Sequence, residues 1–330
     1  MLQRRGWDDR ARAQFKLFLA PSTLLTYDRY VSRFNELCVN RGVSVFDQPT
    51  VIKFLCDLAD ASQRPRSVLN CASAALTHLF TALGQDNPMH DPFVRNLITA
   101  LVKSGTVAVR ERSQVIPVQQ LRDLFSKWPD NTSLDIKRLR QKCITLLALA
   151  IMLRPSDIAP RAVLFSPDSC LTGSMTFTRR QVMFHQDNTA TIYIHGNKND
   201  TDRAGFEVRV QPCSDETLCP VRTLALYLQR TDLQAPSPGS PVFVSLRRPF
   251  QALSAQAIAM SLNEVLKEAG LYPEFTAKDF RPTGATCQID NGVNPKTVMR
   301  LGRWKTETVF FDHYVHSRPP SSFSDNVLLS

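Results

Sequence analysis

From Arg154 onward the chain carries, in a fixed order, the residue types that metal-free chemistry on a phosphodiester needs. Arg154 stands in 149-LAIMLRPSDIA-159 and Lys198 in 195-HGNKNDTDRAG-205. Lys278 and Arg281 open 278-KDFRPTGAT-286, and Arg303, Trp304 and Tyr314 lie in 302-GRWKTETVFFDHYVH-316. A planar guanidinium offers a fork of N–H donors that matches the oxygens of one phosphate. A tyrosine hydroxyl can attack phosphorus and hold the strand covalently. A free phenol titrates near pH ~10, so cations must surround it to stabilise developing phenolate and the crowded phosphorus. Taken singly, each residue has a plainer role. Arg154 can close a helix, Lys198 can be a solvated turn lysine, and Trp304 can be core. The order carries the signal.

The elements that must position these residues fall into two groups. Four amphipathic helices are expected over 22–42, 49–62, 66–84 and 92–105, with glycines closing the first and third. They make a helical domain over 21–106, preceded by a basic leader, 1–20, and followed by a linker, 107–117. Pro117 and the lack of helical period mark that boundary. A second domain is expected over 118–318, with a tail at 319–330. It should open with helices over 117–128 and 134–153, the second ending just before Arg154. Alternating, β-branched text at 173–184, 190–196 and 205–211 predicts a three-stranded antiparallel sheet, with Lys198 on its polar hairpin. Helices over 219–231, 254–270, 277–292 and 294–304 follow, with a short apolar strand at 241–246. The fold class is mainly α with a small antiparallel β-sheet.

Composition agrees with a nucleic-acid partner. The chain has 330 residues, 43% hydrophobic and 21% charged, with a net charge of +10. That excess suits a polyanion. Arg29, Arg33, Arg64, Arg66 and Lys103 lie off the apolar stripes of the first domain, and Arg110 and Arg112 lie in the linker. Each is a candidate phosphate contact or a solvated charge. The eight cysteines form no Cys-x-x-Cys pair and read as reduced residues of an intracellular protein. Neither a signal peptide nor a membrane span is expected.

The order Arg154, Lys198, Lys278-x-x-Arg281, Trp304, Tyr314 resembles the tyrosine recombinases, the phage-integrase family, over roughly residues 20 to 316. The separation of Trp304 from Tyr314 is 314 − 304 = 10, longer than in the bacterial and phage pattern. In that respect 302-GRWKTETVFFDHYVH-316 is most similar to recombinases of DIRS-type eukaryotic mobile elements. The resemblance implies a four-helix core-binding domain and an α+β catalytic domain. It implies a site-specific recombinase or integrase that cuts DNA through a 3′-phosphotyrosyl link at Tyr314, with neither metal nor cofactor. Arg154 and Arg281 would clamp the phosphate, and Lys198 would protonate the leaving 5′ oxygen. Lys278 stands where the family usually has histidine, and Trp304 or Arg303 fills its histidine-or-tryptophan position. Asp157 would buttress Arg154 or nearby backbone. The implied partner is double-stranded DNA, bound by a dimer or tetramer, in the nucleus. The tail would dock on a neighbouring protomer. A non-catalytic DNA-binding descendant and a type IB topoisomerase-like enzyme are the alternatives.

Overall fold

Local capping chemistry sets where the first helices start. Asp47 accepts from the Thr50 amide at 3.0 Å and opens α2 (Gln48–Asp60), with Pro49 in its first turn. It follows α1 (Pro21–Arg41), and α3 (Pro65–Leu83) comes next. The Asp91 carboxylate accepts from the Phe93 amide at 2.7 Å and opens α4 (Pro92–Ser104). The computed structural model describes residues 21–63, 65–84, 86–104, 115–164, 172–194 and 205–316. The leader, Arg64, Arg110, Arg112, Lys198 and the whole tail lie outside them. The chain divides into two units, Met1–Arg110 with Ala162–Gly173, and Glu111–Arg161 with Ser174–Ser330.

The four helices of the first unit close on an aromatic core. Phe34 lies 5.3 Å from Phe54 and 6.2 Å from Phe80, ring centre to ring centre. Leu55, Leu69, Leu76 and Val94 are wholly buried around them. Each such side chain contributes about 1.5–3 kcal/mol by leaving water. Arg29, Arg33, Arg66 and Lys103 are all exposed, as their places off the apolar stripes require.

The second unit starts with α5 (Val118–Lys127) and α6 (Ile136–Ala150), the latter capped by Asp135. The three-stranded sheet is antiparallel, in the order β3 (Val182–Phe184), β4 (Ala190–Ile194), β5 (Phe206–Val210). Ile192 pairs with Val182 on one side and Val208 on the other. A separate pair joins β1 (Arg161–Leu164) to β2 (Thr172–Met175). Then come α7 (Pro220–Arg230), α8 (Ala255–Glu268), α9 (Phe280–Asp290), α10 (Pro295–Gly302) and α11 (Glu307–Tyr314). One core runs from Leu121 and Leu147 through Ile192 and Leu224 to Leu266 and Phe280. A smaller one, Met152, Ala285, Val298, Trp304 and Phe310, underlies the candidate site. Among the described residues no helix is long and apolar enough to cross a membrane.

Three expectations need correction, and one helix was not expected. The helix of 134–153 stops at Ala150, and Met152 takes a left-handed backbone with φ 53°. The strand of 173–184 is broken: Thr178 bridges Pro241, and a 3₁₀ turn, Arg179–Gln181, precedes β3. No strand forms at 241–246, where isolated bridges at Pro241 and Val244 suffice. Residues 307–314 are helical, which no periodicity announced, because only Phe310 of that stretch is buried.

Gly284 explains how α9 reaches α6. A Cβ there would collide with the Leu149 carbonyl oxygen and lie 3.1 Å from Met152 Cγ. Gly284→Ala should therefore cost about 1–3 kcal/mol through overpacking, read as a lower melting temperature of the second unit. Gly239→Ala, whose Cβ would meet only Ser237 Oγ at 3.7 Å, is the control and should leave that transition in place.

Candidate active site

The site is built where α6 ends. The left-handed turn at Met152 points its carbonyl at Arg281, which donates to it through Nη1. Two residues on, Arg154 leads into a 3₁₀ turn, Pro155–Asp157. The Asp157 carboxylate folds back and accepts from the Arg154 amide at 2.9 Å. The same oxygen accepts from Arg303 Nη2 at 3.0 Å, and the two side chains are only 3% and 9% exposed. Asp157 thus does what the sequence suggests for Arg154, and also pairs with a residue 146 positions away.

Arg281 is the second residue of α9 and is 3% exposed. Its Nη2 donates to the Gly302 carbonyl, so both ends of its fork face backbone oxygens. Its guanidinium carbon lies 4.1 Å from the Trp304 ring centre and 5.5 Å from that of Tyr314. Trp304 in turn lies 4.8 Å from Tyr314 at 60° and 4.8 Å from Phe310. Gly302 permits this stack, since a Cβ there would overlap the Trp304 ring. Thr286, in the middle of α9, donates to the Tyr314 carbonyl at 3.2 Å and accepts from the His316 amide at 3.1 Å. Those bonds fix the end of α11 and with it the phenol.

Three N–H donors of this cluster are buried without a hydrogen-bond partner among the described residues: Arg281 Nε, Arg303 Nη1 and Trp304 Nε1. Three guanidiniums, Arg154, Arg281 and Arg303, face one carboxylate, Asp157, so 3 − 1 = 2 positive charges are uncompensated. Burial, with the charges of Arg154 and Arg303, pushes Arg281 well below the ordinary arginine value. Arg303 is lowered too, chiefly by burial, against the pull of Asp157. Burial alone would raise Tyr314. The Arg154 guanidinium, close enough to hydrogen-bond it and positively charged, outweighs that together with Arg281, and the phenol lies below its usual value. The Trp304 indole acts in the same direction, although its N–H does not reach hydrogen-bond geometry.

The structure therefore brings Arg154, Arg281, Arg303, Trp304 and Tyr314 together. Lys278 is exposed and makes no hydrogen bond or ion pair among the described residues. Sequence reasoning missed Gly284, Gly302, Thr286 and Phe206. Phe206, the first residue of β5, has the Arg303 guanidinium 3.9 Å above its ring centre.

No family model matches the chain, and no curated protein matches it by sequence. Solved structures do. An integrase of the transposon Tn1549, in complex with transposon right-end DNA, matches with a TM-score of 0.61 at 12% identity, over 97% of each chain. The XerH site-specific recombinase bound to its difH substrate matches with a TM-score of 0.57 at 12% identity, over 92% of this chain and 78% of that one. A lambda integrase dimer bound to a COC′ core site matches with a TM-score of 0.56 at 13% identity, over 92% and 93%. The chain has the fold of the tyrosine recombinases and integrases, mainly helical with a small antiparallel sheet.

Because Arg154 is the strongest influence lowering the phenol, Arg154→Gln should raise the Tyr314 pKa. Protein carrying ¹³Cζ-tyrosine would show the Tyr314 resonance titrating at higher pH than in wild type. An unchanged midpoint would separate the two groups.

Proposed function

We propose that this chain is a DNA strand transferase, a tyrosine recombinase of mobile-element type most like those of DIRS-type elements. The observation that carries the reading is the set of buried N–H donors on Arg281, Arg303 and Trp304 that have no partner among the described residues, with two positive charges beside Tyr314 uncompensated among those residues. Buried donors and charges of that kind call for an anion. A scissile phosphodiester brings one negative charge. Attack by a phenolate makes the pentacoordinate centre doubly charged, so the cluster binds the transition state better than the ground state.

In this reading Tyr314 gives its proton to solvent water, its oxygen bonds to phosphorus, and the bond from phosphorus to the 5′ oxygen breaks. The lowered phenol pKa makes the first step easier. Arg154, Arg281, Arg303 and Trp304 hold the phosphoryl oxygens. Lys198 gives the 5′ oxygen its proton, the role its resemblance implies. Lys278 is an outer cationic donor. A 5′ hydroxyl of a partner duplex then reverses the chemistry, so the bond energy is conserved in the 3′-phosphotyrosyl link without nucleotide. The exposed Arg29, Arg33, Arg66 and Lys103, with Arg64, Arg110 and Arg112, grip the phosphate backbone of double-stranded DNA. Strand exchange requires a dimer or tetramer on DNA. A mobile element of a eukaryotic host places the work in the nucleus.

The decisive experiment offers nicked suicide duplexes drawn from element ends. Wild type should form a protease-sensitive protein–DNA adduct and Tyr314→Phe should form none. An adduct persisting in Tyr314→Phe would move the nucleophile elsewhere. DNA binding with no adduct in either protein would favour the non-catalytic descendant, and supercoil relaxation without exchange would favour the topoisomerase-like enzyme. Separately, Arg29→Gln and Arg33→Gln should each reduce the slope of log affinity against log salt by about 1, at all sequences alike. A slope unchanged in the double variant would remove α1 from the DNA contact.

A further inference from the structure

The N–H bonds of a guanidinium lie in one plane, so whatever holds that plane decides where each bond aims. Arg303 makes two contacts within it. Nη2 pairs with Asp157 at 3.0 Å, and Nε approaches the Gly302 carbonyl at 3.4 Å. The Asp157 oxygen is itself held, because it also accepts from the Arg154 amide at 2.9 Å. Nη1 is buried and has no hydrogen-bond partner among the described residues. Nε and Nη2 share one edge of the group, so their two contacts leave the plane free to tilt about that edge. Such a tilt moves Nη1 most.

The third contact opposes the tilt. The guanidinium carbon lies 3.9 Å over the ring centre of Phe206. At that separation the ring touches the group. Tilting toward the ring is blocked, and tilting away gives up the attraction between cation and π face. The ring is a fixed platform. Phe206 opens β5, its backbone is paired in register with Ile194 of β4, and its side chain packs against the main core. The backbone of Arg303 is fixed too, as the left-handed C-cap of α10, with φ 63° and ψ 41°. Glycine is usual at such a cap.

We propose that Phe206 is a positioning residue of the active site: its ring fixes the tilt of Arg303 and so aims Nη1 at an oxygen of the phosphodiester. This role rests on the recombinase reading. It differs from a merely structural role in one respect. If the ring acts through Arg303, its removal matters only while residue 303 carries a guanidinium plane to aim.

The test is the rate of adduct formation on nicked suicide DNA at saturating protein, for wild type, Phe206→Leu, Arg303→Lys and the double variant. Phe206→Leu keeps apolar bulk against the core and removes the ring face. Alone it should slow the adduct by at least about tenfold, part of the loss that follows removal of a preorganised donor. In the Arg303→Lys background the same substitution should slow nothing further. Phe206→Tyr keeps the ring and should react as wild type. The Tyr314 titration midpoint should stay in place in Phe206→Leu, because the groups that lower it are Arg154, Arg281 and Trp304. Equal slowing in both backgrounds, no slowing in either, a loss in Phe206→Tyr as large as in Phe206→Leu, or a displaced Tyr314 midpoint would overturn the inference. A wild-type protein that forms no adduct would overturn the recombinase reading first, and this inference with it.

Discussion

The second unit depends on holding like charges together where water is scarce. Arg154, Arg281 and Arg303 repel one another, and burial adds to the cost. One carboxylate, Asp157, compensates part of it. Breaking such a buried pair from one side typically costs about 3–5 kcal/mol, because the remaining charge is stranded. The rest of the compensation comes from fixed dipoles and π faces: the carbonyls of Met152 and Gly302 on Arg281, the Trp304 ring beneath it, and Phe206 beneath Arg303. What remains uncompensated is the capacity for an anion.

The backbone is shaped to that end. Met152 leaves the helical path so that its carbonyl meets Arg281. Gly284 lets α9 press on α6, and Gly302 lets Trp304 lie flat. Ile116 donates from its amide to Thr283 Oγ1 at 2.9 Å, which pins the chain entering α5 to the first turn of α9. Thr286 holds the end of α11. The same residues that stabilise the unit thus determine the distance between phenol and guanidinium. Substitutions among them should alter chemistry and stability together.

Much of this was legible in the sequence where the controlling physics is local. The starts expected at 254 and 294 are where capping falls: Asn294 accepts from the Lys296 amide, Ser254 from that of Ala257, and Pro295 stands in a first turn. Alternation announced β4, whose Ala190, Ile192 and Ile194 are buried. The order of Arg154, Arg281 and Tyr314 pointed to residues that the structure brings together. What was not legible is set by distant partners. Ile151, Met152 and Leu153 extend the apolar text of α6, and are buried, yet lie beyond the helix. The apolar residues before Thr178 read as one strand, but the bridge to Pro241 and the 3₁₀ turn interrupt it. Nothing near Arg303 in the sequence points to Asp157 or Phe206. Lys278 has the right type and spacing, but it is exposed and shares none of the buried contacts of the cluster among the described residues.

The most direct test of the central claim, that this guanidinium cluster turns Tyr314 on a phosphodiester, is to locate the covalent bond itself. The adduct trapped on suicide DNA would be digested with nuclease and trypsin and read by mass spectrometry. Tyr314 is the only tyrosine after Tyr272, so the fragment beginning at Thr306 contains one candidate phenol. The expected result is a nucleotide mass on that fragment, assigned by fragmentation to Tyr314 and released only as phosphotyrosine. A nucleotide on any other residue, or an adduct whose Tyr314 fragment is unmodified, would contradict the account.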